Sequence, residues 1–430
     1  MNPFASINSQ SLPGPDDTLR VVLENGITVL TRPNLESASV VVTGYLQAGS
    51  VFEPNEKAGL AYFTAAALMR GTTRRTFQQI FDALESSGAS LGFGSSVHTA
   101  SFGGRALAED LPLLLELLAE SLSEPVFPPE YIERLRAQIM TSLAIRAQDT
   151  ADMASLTFEK LLFPGHPYGR PDEGFPETIS AITRQDIVDF HRRHYGPRQM
   201  VVVIVGGVSP DAAVEQAQKA LGGFSNPDQP SPPSLSGVQP LRETIRQHVE
   251  IPGKSQADLV IGTLGPKRNS PDYLAVSLGN NILGQFGMMG RIGDVVREQA
   301  GLAYYASTSL NGWIESGSWE VSAGVNPANL SRAADLIIKE LEHYVKDGVS
   351  VEELQDSQAN FIGRLPLSLE SNIGVANALL NLERFQLGLD YYRRYPDMVS
   401  EVTPDQVLEA SRRYLDPQRL VIASAGSQPT

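Results

Sequence analysis

The chain has 430 residues, 42% of them hydrophobic and 19% charged. That is a globular composition, and at roughly 100–200 residues per domain it is too long for one ordinary core. The net charge of −15 argues against a nucleic-acid partner, because phosphate binding needs clustered Lys and Arg, and the absence of Cys excludes disulfides, thiol nucleophiles and thiolate zinc sites.

Residues 1–18 read as an N-terminal tail. It has no basic start and no apolar h-region, so a cytoplasmic location is expected, or a periplasmic or secreted one if a signal has been removed. LRVVLENGITVLTRP then reads as a hairpin, with Asn25-Gly26 suited to a type I′ turn. SVVVTGYLQAGS is a further strand, and GLAYFTAAALMRGT, Gly59 to Thr72, is a helix. RTFQQIFDALESSGAS and LPLLLELLAESLSE show helical period, and LGFGSSVHTASFGGRAL between them alternates like a strand pair. The longest apolar run, Met200 to Val205, falls far short of the ~20 residues of a membrane span. Ser225 to Pro240 is Pro- and Ser-rich without helical period, and reads as an extended linker.

The two sides of that linker resemble each other. ITRQDIVDFHRRHYGPRQMVVVIVGG and VTPDQVLEASRRYLDPQRLVIASAGS align without a gap at an offset of 220. Thr183 matches Thr403 as a helix cap, Pro197 matches Pro417 as a breaker, and Gly206 matches Gly426 at the end of a β-branched strand. One fold is written twice, at 19–224 and 241–430. Strands paired by hairpins, with helices segregated from them, give an α+β class: two homologous domains, each a largely antiparallel sheet packed against helices.

Tyr62, Ala65 and Ala66 lie at i, i+3 and i+4, on one face of their helix. On those residues alone the stretch is an Ala-rich core helix. The spacing is also that of H-x-x-E-H, in which two His bind zinc and the Glu activates water. The whole stretch resembles the pitrilysin-like (inverzincin) zinc peptidases, which typically read GLAHFLEHMLFKGT here. Gly59, Leu60, Ala61, Phe63, Gly71 and Thr72 stand as in that pattern; Tyr62 and Ala66 replace the His residues and Ala65 the Glu. The third ligand of that family is a Glu in a segment like E-I-x-x-x-x-D. Here LAIRAQD, Leu143 to Asp149, puts Leu143 in its place. FPGHPYGRP, Phe163 to Pro171, is similar to the family's HPYG loop, and the resemblance runs from about residue 19 to 427.

What the resemblance implies is a clam-like two-domain subunit without zinc of its own. The pattern R-E-x-x-G-L-A-Y resembles the family's second signature, an Arg/Tyr pair, here Arg297 and Tyr304. Such donors can stabilise the oxyanion that develops on an attacked peptide carbonyl. Read without the resemblance, Arg297 caps a helix end and Tyr304 packs in a strand. Gly284, Gly287 and Gly290 fall where the non-zinc processing-peptidase subunits carry a Gly-rich loop that handles substrate; their bland reading is close helix packing or a flexible loop. His191 and His194 read as surface or cap histidines, and His98, His166, His248 and His343 as isolated. The leading expectation is a non-zinc subunit that supplies Arg297 and Tyr304 to a homologous zinc-bearing partner, acting on an extended peptide. The alternatives are a catalytically dead structural or peptide-binding homologue, with a homodimer as one form, and a self-sufficient hydrolase using unrecognised residues.

Overall fold

The computed structural model describes residues 12–285 and 290–428. The first half runs β1 (Leu19–Val22), β2 (Thr28–Pro33), β3 (Ser39–Leu46), α1 (Leu60–Ala67), α2 (Phe77–Ser86), β4 (Ser90–Ser95), β5 (Ala100–Leu107), α3 (Leu111–Ser123), α4 (Pro129–Arg146), α5 (Thr150–Leu162), α6 (Pro176–Ala181), α7 (Arg184–His194), β6 (Val201–Gly206) and α8 (Pro210–Leu221). The second runs β7 (Ile245–Glu250), β8 (Ala257–Gly265), α9 (Tyr273–Gly284), α10 (Gly290–Gly293), a π-helical turn (Asp294–Gln299), β9 (Ala303–Gly312), β10 (Gly317–Val325), α11 (Leu330–Asp347), α12 (Val351–Ser368), α13 (Asn372–Phe385), α14 (Tyr391–Ser400), α15 (Pro404–Tyr414) and β11 (Val421–Gly426).

The strands form two sheets, ordered β1-β2-β6-β3-β5-β4 and β7-β11-β8-β10-β9. Apart from β1 the two orders correspond strand for strand, as a duplication requires. Each sheet is antiparallel except for one parallel pair, β2 with β6 and β7 with β11. The repeated segment explains why. VVVIVG and VIASAG are buried at every position, so each serves as an interior strand covered on both faces. Thr183 and Thr403 cap the preceding helices, accepting from the backbone N–H of Asp186 and Gln406. Gly206 and Gly426 have φ of +144° and +148°, and a Cβ there would lie 2.2 Å from the Ser39 carbonyl oxygen and 2.8 Å from the Ala257 Cα. Only glycine suits both demands.

Two local expectations are corrected. The first hairpin does not use a type I′ turn. Gly26 N–H donates to Leu23 C=O at 2.9 Å, and of the turn residues only Gly26 has positive φ, +91°. The three-residue loop is a type I turn closed by a left-handed Gly, because Asn25 spends its side chain on the Leu221 and Phe224 carbonyls. Of the two histidines read as surface or cap residues, His194 is not at the surface, whereas His191 does cap, meeting a last-turn carbonyl of α3. His194 is 7% exposed between Phe52 and Phe190, and the His191 ring meets the Leu122 carbonyl oxygen at 2.8 Å. Burial holds both imidazoles down at about 4.

One face of each sheet is covered by helices of its own half. The other face is covered by a helix of the opposite half. α13 lies on β3 and β6, with Val375, Ala376, Leu379 and Leu380 against Leu30, Val41 and Val203. α5 lies on β8 and β11, with Ala154, Phe158 and Leu162 against Val260, Val421 and Ala423. Arg20 clasps Glu383 through two hydrogen bonds of 2.9 and 2.7 Å. Residues 225–240 carry no helix or strand, and their start is tied to the first half by Asn226, which donates to the Arg192 and Tyr195 carbonyls at 3.0 and 2.8 Å.

Candidate functional site

The bare face of α1 is buried at Ala65 and half-buried at Tyr62 and Ala66. Gly59, at φ +96°, starts the helix beneath Glu53, whose carboxylate accepts from the Gly59 and Ala61 N–H groups at 3.0 and 2.8 Å. Burial pushes Glu53 up to about 7, against the pull of those amides. Ala65 is 2% exposed and Leu143, on α4, 4%; Tyr62 and Ala66 pack against the same core. Burial, and then the neighbouring Glu173, raise the Tyr62 phenol above its usual range. Alanine and leucine offer no donor atom, and one phenol does not hold zinc against water. Among the described residues no three His, Cys, Asp or Glu side chains gather to hold a metal ion. The residues at these places do not fit zinc.

Beside that face lies a cavity of about 430 Å³ at the junction of the two halves. Its wall is the HPYG loop. Tyr168 OH meets His98 Nε2 at 2.7 Å and accepts from the Glu315 N–H at 3.2 Å, and its ring stacks 4.8 Å from Trp313. His166 Nδ1 accepts from the Tyr168 N–H at 3.1 Å. The loop therefore ties the first half to the second. Arg170 donates to the Ser50 carbonyl at 2.7 Å and stands 3.7 Å from Glu53. Asp172, held by the Ser50 hydroxyl at 2.9 Å, is pushed up to about 6 by burial. Glu159 on α5 is pushed up to about 7 by burial and then by Glu320, Asp172 and Glu173. Burial, and then His166 and Arg384, hold His98 down at about 4. His98 and His166, isolated in sequence, are thus joined through Tyr168. Glu159, Asp172 and Arg384 carry no motif; Asp172 follows the HPYG loop, and the folding of α5 and α13 onto the opposite halves brings Glu159 and Arg384 to it.

Arg297 and Tyr304 flank a turn at Gly301, which has φ +63°. Arg297 is the last-turn base of the π-helical segment, and its Nε lies 3.9 Å from Glu298. Tyr304 occupies a β-bulge: β10 advances one residue, Gly324 to Val325, while β9 passes from Tyr305 to Ala303. Ala306 and Thr308, which plain alternation would place on the Tyr304 face, are buried, whereas Tyr304 is 61% exposed. Tyr305 turns the other way and donates to Asp258 at 2.6 Å. Gly284 and Gly290 meet each other closely: a Cβ on Gly290 would lie 2.6 Å from the Gly284 nitrogen. Gly287 lies outside the described residues.

Two family profiles match the chain, Insulinase (peptidase family M16) over residues 28–163 and the peptidase M16 inactive domain over 181–361. An uncharacterized zinc protease of Streptomyces coelicolor is 27% identical over 410 residues, covering 92% of this chain and 87% of that protein. Subunit 1 of the mouse mitochondrial cytochrome b-c1 complex is 28% identical, over 65% of this chain and 58% of that one. Among solved structures, a peptidase M16 inactive domain from Pseudomonas fluorescens superposes with TM-score 0.89 at 26% identity, covering 96% of this chain and 98% of that one. A Helicobacter pylori protease shares the fold with the same TM-score at 20% identity. Fold and stripped helix face together define a metallopeptidase homologue that lacks the metal residues. The chain belongs to the M16, or pitrilysin-like, peptidase family.

Proposed function

We propose that this chain is the non-zinc subunit of a two-subunit peptidase, binding an extended peptide and lending Arg297 and Tyr304 to a reaction centred on a homologous, zinc-bearing partner. The observation that carries this reading is the contrast between two places. The metal face is filled with Ala65 and Leu143, both nearly inaccessible, while a β-bulge presents Tyr304 to solvent. A guanidinium and a phenol are hydrogen-bond donors suited to the oxyanion that forms on an attacked carbonyl. Among the described residues the edge strand β4 is unpaired on its outer side, which suits an extended peptide that adds a strand. The close pair Gly284 and Gly290, with Gly287 between them in sequence, is assigned to substrate handling on the same reading.

A second reading is a structural or peptide-binding homologue, possessing no catalytic role and pairing with itself. The likeness to a cytochrome b-c1 complex subunit favours it. Cleavage of an unstructured peptide separates the two. The purified chain is expected to be inactive alone and active once mixed with a zinc-bearing M16 homologue from the same organism, with a mixed dimer on size exclusion. Failure to form that dimer, or cleavage by the chain alone, contradicts the proposal.

A further inference from the structure

Among the described residues Arg384 is a cation without an anion. It sits in the last turn of α13, whose buried Val375, Ala376, Leu379, Leu380 and Leu382 face the first sheet. Its guanidinium lies 4.7 Å from the centre of the Tyr45 ring and reaches Thr99 Oγ1 at 3.5 Å, the limit of a hydrogen bond. Its Nε is shielded from solvent and has no acceptor. Among the described residues no carboxylate pairs with it. The adjacent Glu383 points elsewhere, to Arg20. Arg170, on the same cavity wall, also has a buried Nε without an acceptor, but its other nitrogens donate to Ser50 and Asn55 and stand 3.7 Å from the Glu53 carboxylate. The negative end of the α13 dipole eases the charge on Arg384 but supplies no acceptor at Nε. Taking a guanidinium partly out of water without a partner is costly, so its neighbourhood is built for something absent from the chain itself.

Two cavities meet at this side chain. One, of about 430 Å³, runs toward Tyr168 and Glu159; the other, of about 670 Å³, lies over Gly92 and Gly94 of β4. Ser96, Thr99 and Arg384 line both. The second cavity thus joins the open edge strand to an unpaired, forked donor.

We infer that Arg384 receives the terminal carboxylate of a peptide bound along β4, so that the chain recognises carboxyl-terminal ends. A planar guanidinium suits a carboxylate through two parallel hydrogen bonds. A polyanion is disfavoured by Glu159, Asp172 and Glu173 on the adjoining wall and by the net charge of −15, whereas one carboxylate at a chain end is not. The inference rests on the peptide-binding reading above.

The test uses one ten-residue probe of Gly, Ser and Leu, acetylated and labelled at its N-terminus, as the free acid and as the C-terminal amide. Binding to the full chain is followed by fluorescence anisotropy for wild type, Arg384→Gln and Arg384→Lys. The free acid is expected to bind wild type about 10–100-fold more tightly than the amide, the worth of a charge-assisted hydrogen-bond pair. In Arg384→Gln that difference should vanish, and Arg384→Lys should restore part of it. Equal binding of acid and amide to wild type overturns the carboxylate site and leaves peptide binding standing. No binding of either overturns both. Should Arg384→Gln fail to fold, judged by circular dichroism, the acid and amide arms on wild type still decide.

Discussion

Tyr304 and Tyr305 are neighbours with opposite fates. Tyr305 and Thr150 both donate to Asp258, a carboxylate only 1% exposed, while Tyr304 stands clear of the strand. Tyr305→Phe leaves a buried carboxylate short of a donor and is expected to cost about 1–3 kcal/mol in urea denaturation, whereas Tyr304→Phe should cost nothing measurable. The reverse order would mean that Tyr304 is the packed residue. Glu159 supports a prediction about pH. Its folded carboxyl, pushed up to about 7 from an ordinary 4.5, holds a proton that the unfolded chain releases between those values. It therefore lowers stability progressively as pH rises from 4.5 to 7. His98, His191 and His194, held at about 4, act in the opposite sense between 4 and 6.5. Glu53 and Asp172, raised to about 7 and about 6, act in the same sense as Glu159, so Glu159→Gln removes one of three such contributions and the variant should gain stability over wild type between pH 5 and 7.5. An unchanged difference at both pH values contradicts it. The pair Arg297 and Tyr304 and the degenerate face were legible as residue types at fixed spacing. Which tyrosine faces out was not, because a bulge depends on pairing with β10 and leaves no local mark.

Helices and strands followed their periodicity closely, since amphipathic runs between Gly and Pro breakers are local signals. What the sequence hid is which sheet each helix covers. α5 follows α4 in the chain yet buries Phe158 and Leu162 against the sheet of the other half. α13 does the reciprocal with Leu379. An apolar stripe states that a helix must be buried but not against what. The same long-range exchange brings Glu159 and Arg384 to the cavity, so those residues were invisible too. Phe158 is fully buried, and Phe158→Ala is expected to cost about 3–5 kcal/mol. Because α5 joins the halves, the loss should appear as one cooperative transition moved to lower urea. A separate early transition confined to one half would show that the halves are energetically independent.

At the scale of the molecule, duplication gives two similar units and evolutionary change has made them unlike. One keeps the helix that bears zinc ligands in relatives of this family but fills it with apolar side chains. The other keeps an arginine and a bulged, exposed tyrosine. The central claim is that this second pair serves chemistry on a peptide when a zinc-bearing homologue supplies the rest. The direct measurement is peptide turnover by the assembled complex, with Arg297→Ala or Tyr304→Phe in this chain and assembly checked by size exclusion. A roughly 10²–10³-fold fall in kcat with assembly intact is the expected result, the loss typical of one oxyanion-stabilising donor. Full turnover by both variants would contradict the account.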